Sequence, residues 1–324
     1  MSSSPTKVGA LRGLEKPVIL RTIPSEEGWE EGLPEELVAL VRQTRYFSYG
    51  IGAVPKELED AIKPSLGLAW NESMISGPDL YKKPPSIVDL DRVTRRTRQY
   101  AELGESEAAW NSAVHHFLGL LALECGAYES VLDFNNISSA RISSRELLPL
   151  NAGGHTISSK MVDFAITLKP TKEMDIAFRH AEPIVPGRPQ SFNQTDHLPI
   201  ANRPIAVSIE TKQSGEGQQA AYGQLSTWLL AQYQRLRYLT EQAGNKDAEM
   251  PLLPVMVVQG PTWSLLAAKQ NEEGEVILWD CGMFGESKSR LGVCQILATL
   301  LLLMRWSHEE YRAWFEKHAL CKPK

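Results

Sequence analysis

The sequence predicts a mixed α/β fold, and three stretches carry that expectation. Arg203–Gln213 holds a β-rich alternation that ends in Glu210-x-Lys212. A long helical stripe follows from about Gln218 to Gln242, with Ala221, Leu225, Trp228, Leu229, Leu236 and Leu239 on one side. Then come Leu252–Gln259, Trp263–Lys269 and Val276–Trp279, three strand-like runs with Gly260-Pro261 as a turn between the first two. Helix, strands, helix, strands and helices in that order make a mixed α/β core.

The chain has 324 residues, enough to bury a sizeable core as one large domain or two. Its 43% hydrophobic and 23% charged residues are those of an ordinary globular protein. A net charge of −5 gives nucleic acid no global attraction, so any such contact needs a local basic patch. Cys125, Cys281, Cys294 and Cys321 are scattered, with no Cys-x-x-Cys pair and no histidine at ligand spacing. That argues against a zinc site and a disulfide framework, and leads us to expect a reducing intracellular compartment, nucleus or cytoplasm.

Taken in order, residues 1–30 read as a flexible tail. They lack the apolar core of a signal peptide, and Lys7, Arg12, Lys16 and Arg21 give only a faint presequence flavour. A helical extension over 31–84 follows. Pro34–Phe47 carries Leu37, Leu40, Val41 and Tyr46 at near-helical spacing, a shorter helix starts at Pro55, and Gly, Pro and Ser then mark a surface connection to Pro85. Asp91–Leu103 reads as a polar helix with Arg92, Arg95 and Arg96 on one face. Glu105–Cys125 is the first core helix, striped by Trp110, Val114, Phe117, Leu118, Leu121 and Ala122 and ended by Gly126. His115 and His116 adjoin that stripe and read as structural.

Strands are expected at Ser130–Phe134, Ala140–Ser143 and Lys160–Leu168, the last with Asp163 as its only internal charge. A long loop with several prolines, Pro186 among them, then runs to Arg203. On the next strand Ile205, Val207, Ile209 and Thr211 share one face, and Ala206, Ser208, Glu210 and Lys212 the other. Gly215 and Gly217 make a turn into the long helix. Gly292–Trp306 and Glu309–His318 close the chain as helices, and the apolar run Leu291–Met304 has the length of a core helix rather than a membrane span.

The chemistry concentrates on Asp163 and Glu210-x-Lys212. Glu210 and Lys212 lie about 7 Å apart along a strand, and a charged pair closing a buried strand is costly without a partner or a metal. Two carboxylates from successive strands repel unless a divalent cation sits between them. A lysine beside them can hold water and neutralise charge on a phosphate. The Thr211 carbonyl, edgewise to the strand, offers a further oxygen. By spacing alone, a pair of strand-end salt bridges explains these residues equally well.

The chain resembles the PD-(D/E)XK nuclease superfamily, and more closely a fungal branch of its nuclease-like domains. The matching stretches are Glu107-x-x-Trp110-Asn111-x-x-Val114-His115, Lys160-Met161-Val162-Asp163-Phe164, Gln194-Thr195-Asp196-His197, Pro204 through Lys212, Gln224-Leu225-x-x-Trp228 and Val257-Val258-Gln259-Gly260. The resemblance covers roughly 85–320. It implies a restriction-endonuclease-like core, a mixed central sheet flanked by helices, with helical additions at both ends. It also implies a metal-dependent nuclease acting on nucleic acid, DNA first, with Mg2+ (or Mn2+) as cofactor. Asp163 and Glu210 would then be metal ligands, joined by Glu107 and the Thr211 carbonyl, and Lys212 the catalytic lysine.

Gln224, His197 and the arginines Arg92, Arg95 and Arg96 are candidates for substrate contact. Each has a plainer reading: a solvated polar residue, a local turn and a solvated face. Glu107 could equally serve its helix as a first-turn acid. Two departures stand out: Val162 replaces the motif's proline, and Gln213 sits where relatives often carry a basic residue. The same scaffold could instead serve a small-molecule ligand or act as an inactive interaction domain. No membrane partner is expected. Many relatives act as dimers, but no dimer surface is visible in the sequence.

Overall fold

The computed structural model describes residue 14 and residues 17–150, 153–183, 187, 189–213 and 217–321. Lys7, Arg12 and Lys16 of the expected tail, Pro186 of the long loop and Gly215 of the turn after Lys212 lie outside the described residues. In chain order, the main elements begin with β1 (Val18–Thr22), α1 (Glu35–Ser48), α2 (Glu59–Leu66) and α3 (Ile87–Leu103). The helix α4 is built from Glu107–Trp110, a wider π turn at Asn111–His115, and His116–Gly126. There follow β2 (Leu132–Asn136), β3 (Phe164–Leu168), α5 (Lys172–His180), β4 (Ile205–Lys212), α6 (Gln218–Gln242), β5 (Leu253–Gln259), β6 (Thr262–Gln270) and β7 (Val276–Glu286). The last helix, α7, joins Arg290–Trp306, a π turn at Ser307–Tyr311, and Arg312–His318.

The seven strands form one mixed sheet in the order β1-β7-β6-β5-β4-β3-β2. β4 and β5 run parallel, as do β1 and β7, and the other neighbours are antiparallel. The expected mixed α/β core is therefore present. Helices cover both faces of its centre. Trp228 of α6 donates its indole N–H to Ser208 Oγ at 3.0 Å, fixing α6 on the face that carries Ala206, Ser208 and Glu210. On the other face His116 of α4 stacks on Phe164, which pairs with Ile209. Coverage from both sides explains why every residue from Ile205 to Thr211 is buried, where alternation alone suggests one wet face.

Several expectations need correcting. Val18–Thr22, inside the expected tail, is an edge strand hydrogen-bonded to β7. The expected helix over Pro34–Phe47 is present as α1, and its Leu37, Leu40, Val41 and Phe47 belong to the same buried core as the sheet. Ala140–Ser143 is not a strand; Ala140 and Ile142 are buried, and the Ser143 N–H donates to the Gln194 carbonyl. Regular pairing of β3 starts only at Phe164, so Asp163 stands at the strand's entrance. The long loop contains α5, whose Thr171 side chain caps the Met174 N–H. Pro170 just before that cap, and Glu173 and Asp175 in the first turn, were a readable start signal.

The rest of that loop is held by its polar side chains. Asn193 accepts from the Ile205 N–H and donates to the carbonyls of Ile200 and Arg203. Buried Arg235 of α6 donates to the Ser191 carbonyl, and burial pulls its guanidinium down to about 10. By length and composition, Arg290–His318 could cross a membrane. Most of its apolar residues are instead buried, where the helix packs on β7 and α4, so α7 serves as a core helix.

Candidate active site

β4 ends at Lys212, beside the end of β5 and the entrance to β3. The turn after β5 is pinned there, since the Gly260 N–H donates to the Lys212 carbonyl at 3.0 Å. Gly217, with a φ of +70°, opens α6 against the Lys212 stem; a Cβ there would lie 3.5 Å from Lys212 Cδ. That left-handed turn suits glycine.

Five of the expected residues meet at this end of the sheet. Lys212 Nζ donates to Glu210 Oε1 and, at 2.8 Å, to the Thr211 carbonyl. It also lies 3.7 Å from Glu107 Oε2, at the first turn of α4. Asp163 Oδ2 accepts from both the N–H and the hydroxyl of Thr211, each at 2.9 Å. Thr211 thus serves through three of its groups. Its expected carbonyl role is shared with Lys212, while its hydroxyl, which the sequence reading passed over, clamps Asp163.

The electrostatics follow from burial. The Glu210 side chain is 1% exposed, and its Oε2 has no hydrogen-bond partner among the described residues. Burial pushes its carboxyl up to about 8; the Lys212 charge opposes that rise, while Asp163 and Glu107 add to it. For Lys212 burial acts downward, but the neighbouring carboxylates outweigh it and hold the ammonium above its ordinary range.

A second linkage joins α4 to this centre. His115 is buried, with Nε2 2.7 Å from the Gly260 carbonyl and Nδ1 2.9 Å from Asn111 Oδ1. Burial lowers the imidazole to about 4, so the ring is neutral at pH 7. A neutral ring donates through only one nitrogen. The Gly260 carbonyl can only accept, so Nε2 carries the proton that faces it, while Nδ1 lies against Asn111 Oδ1. Helix α4, which carries Glu107, is tied in this way to the turn that holds Lys212. The sequence reading of His115 as structural agrees with this bonding.

The remaining candidates lie apart. His197 sits beside Ile200 and Asn193, where β4 begins, at the opposite end of that strand from Lys212. Gln224 is half-buried on α6. Arg92, Arg95 and Arg96 are exposed on α3; Arg92 lies over Phe117 at 5.1 Å and Arg96 over Tyr100 at 5.6 Å. The C-terminal end of that helix does reach the centre, where Gln213 donates to the Gly104 carbonyl at 3.4 Å.

A family model described as the PD-(D/E)XK nuclease superfamily matches residues 62–312. The chain belongs to that superfamily. The match begins well before residue 85, so it takes in part of α2 and the connection after it. No curated protein matches the chain significantly. Members of the superfamily typically use a divalent metal. Among the described residues no three His, Cys, Asp or Glu side chains stand close enough together to hold one. The chemistry of the donors fits nonetheless: carboxylate and carbonyl oxygens suit a hard cation, and Glu210 Oε2 lacks any other partner among the described residues.

Proposed function

We propose that the chain is a metal-dependent nuclease that hydrolyses phosphodiester bonds in DNA. The observation that carries this reading is the buried Glu210 carboxyl. One of its oxygens is bonded to Lys212 and the other has no partner among the described residues, at the sheet end that also holds Asp163 and Glu107. A buried acceptor left unpaired costs about 1–3 kcal/mol, and an arriving cation would offset that cost.

Asp163 and Glu210 would hold Mg2+ or Mn2+, with the Thr211 carbonyl as a further oxygen, while Glu107 stands beside Lys212. The bound cation supplies charge neutralisation and a more acidic water. The chain's own groups do the rest. Lys212 Nζ, held charged between Glu210 and Glu107, orients the attacking water and meets the negative charge that builds on the phosphate oxygens. Thr211 keeps Asp163 facing the end of β4. Water adds to phosphorus in line with the departing ester oxygen, leaving a phosphate monoester and a free hydroxyl. The arginine face of α3, on the helix that ends beside Gln213, supports a backbone contact on one side of the cleavage point.

The test is cleavage of plasmid, single-stranded DNA and RNA with Mg2+ or Mn2+, using the wild type, Asp163→Ala and Lys212→Ala. Cleavage unchanged in the folded variants sinks the reading. Metal binding without cleavage of any nucleic acid would shift it to a nuclease scaffold serving a small molecule.

A further inference from the structure

A broad cleft lies at the other end of the sheet from Lys212. It occupies about 1130 Å³ where α1 begins, β5 begins and β6 ends, against the second half of α7. Among the described residues, five glutamates line it, with Lys269 and Arg305 as its lysine and arginine. Lys269 is already neutralised: its ammonium is clasped by Glu36 at 2.7 Å and Glu249 at 2.6 Å. Glu35, Glu309 and Glu310 are exposed and form no ion pair among the described residues. First-turn acids complement the dipole of α1, which accounts for Glu35 and Glu36. It does not account for Glu309 and Glu310, which lie in the middle of α7.

The π turn at Ser307–Tyr311 places rings beside those carboxylates. Trp306 stacks on Tyr311 at 5.7 Å and 28°, and Tyr311 on Trp314 at 6.3 Å and 18°. Tyr311 is buried as the spacer, while the two half-buried tryptophans line the cleft. π turns recur at functional sites. Aromatic faces beside carboxylates take cationic heads and their aliphatic stems together.

We propose that this cleft docks a lysine- and arginine-rich peptide segment of a partner protein. The cleft exceeds the roughly 300–1,000 Å³ usual for a compact ligand. Its carboxylates come from α1, the approach to β5 and α7, so an extended chain with several positive side chains matches them better than one compact cation does. The same negative wall repels a phosphate backbone. Docking here leaves the Glu210-x-Lys212 end free, and the proposal stands independently of the nuclease reading.

The test uses the full chain and a fluorescent ten-residue peptide of alternating lysine and arginine, followed by anisotropy at low ionic strength. Removing two surface charges should weaken binding about tenfold. Glu309→Gln with Glu310→Gln should show that loss. Glu57→Gln with Glu72→Gln, on another surface, should bind as the wild type does, and so should Lys212→Ala. The exposed carboxylates leave both double variants free to fold, which a thermal melt checks. No binding to the wild type, or equal weakening in the two double variants, overturns the proposal. Displacement by spermine at matched charge would also overturn it, assigning the cleft to a small polyamine.

Discussion

At the scale of single residues, Thr211 shows how much one side chain can organise. Its N–H and hydroxyl hold Asp163, and its carbonyl holds Lys212. Thr211→Val keeps the N–H bond and loses the hydroxyl bond, so stability should fall by about 1 kcal/mol. Metal titration by calorimetry should also show weaker binding. Lys212→Ala should cost a factor of about 10²–10³ in cleavage rate while the melting temperature stays near that of the wild type. The fold survives because burial already favours the protonated form of Glu210, so no buried charge is stranded. Rates and melts on the same preparation check both halves. Strand alternation drew attention to Asp163 and Glu210-x-Lys212, but spacing alone fitted salt bridges equally well, and only the family resemblance added Glu107 to them. The hydroxyl clamp was not legible, because a threonine in a strand reads first as a β-branched packing residue.

Among the elements, the join between α4 and the β5–β6 turn has a pH signature. The unfolded His115 ring takes a proton near 6.5, whereas burial holds the folded ring down to about 4. Below pH 6.5 the unfolded chain therefore binds a proton that the folded chain does not. This contribution to stability is complete above 6.5 and falls away as the pH drops toward 4, by up to about 3 kcal/mol. Thermal melts between pH 7 and pH 4.5 should show that slope, and His115→Gln should flatten it. The start of α7 is constrained differently. A Cβ on Gly292 would lie 1.9 Å from the Glu286 carbonyl oxygen, with no flexible side chain to yield. Gly292→Ala should cost about 3 kcal/mol, measured by urea unfolding. Helices with strong stripes, such as α6, were readable to the residue. Helix α5 escaped because prolines on both sides made its segment look like loop, although its threonine cap and acidic first turn were in plain view.

For the molecule as a whole, the surprise is at the amino-terminal edge. β1 pairs in parallel with β7 from Val18↔Val276 to Thr22↔Asp280, so a segment expected to be tail closes the sheet. A chain starting at Ile23 would bare that edge of β7, and bare edges template pairing with other chains. It should melt at a lower temperature and form larger species in light scattering, with Glu210 and Lys212 still in place. The mixed α/β core could be foreseen because strong alternations and long stripes report on local burial. The edge strand could not, because Val18–Thr22 is short and its partner lies more than 250 residues away in sequence. That separation has a meaning for biosynthesis. At a synthesis rate of about 5–20 residues per second, β1 waits roughly a quarter of a minute to most of a minute for its partner to leave the ribosome. The segments bearing Glu107, Asp163 and Lys212 emerge before β7 does. A nascent chain can gather its charged centre before its sheet is sealed, and β1 stays open to chaperones until β7 emerges.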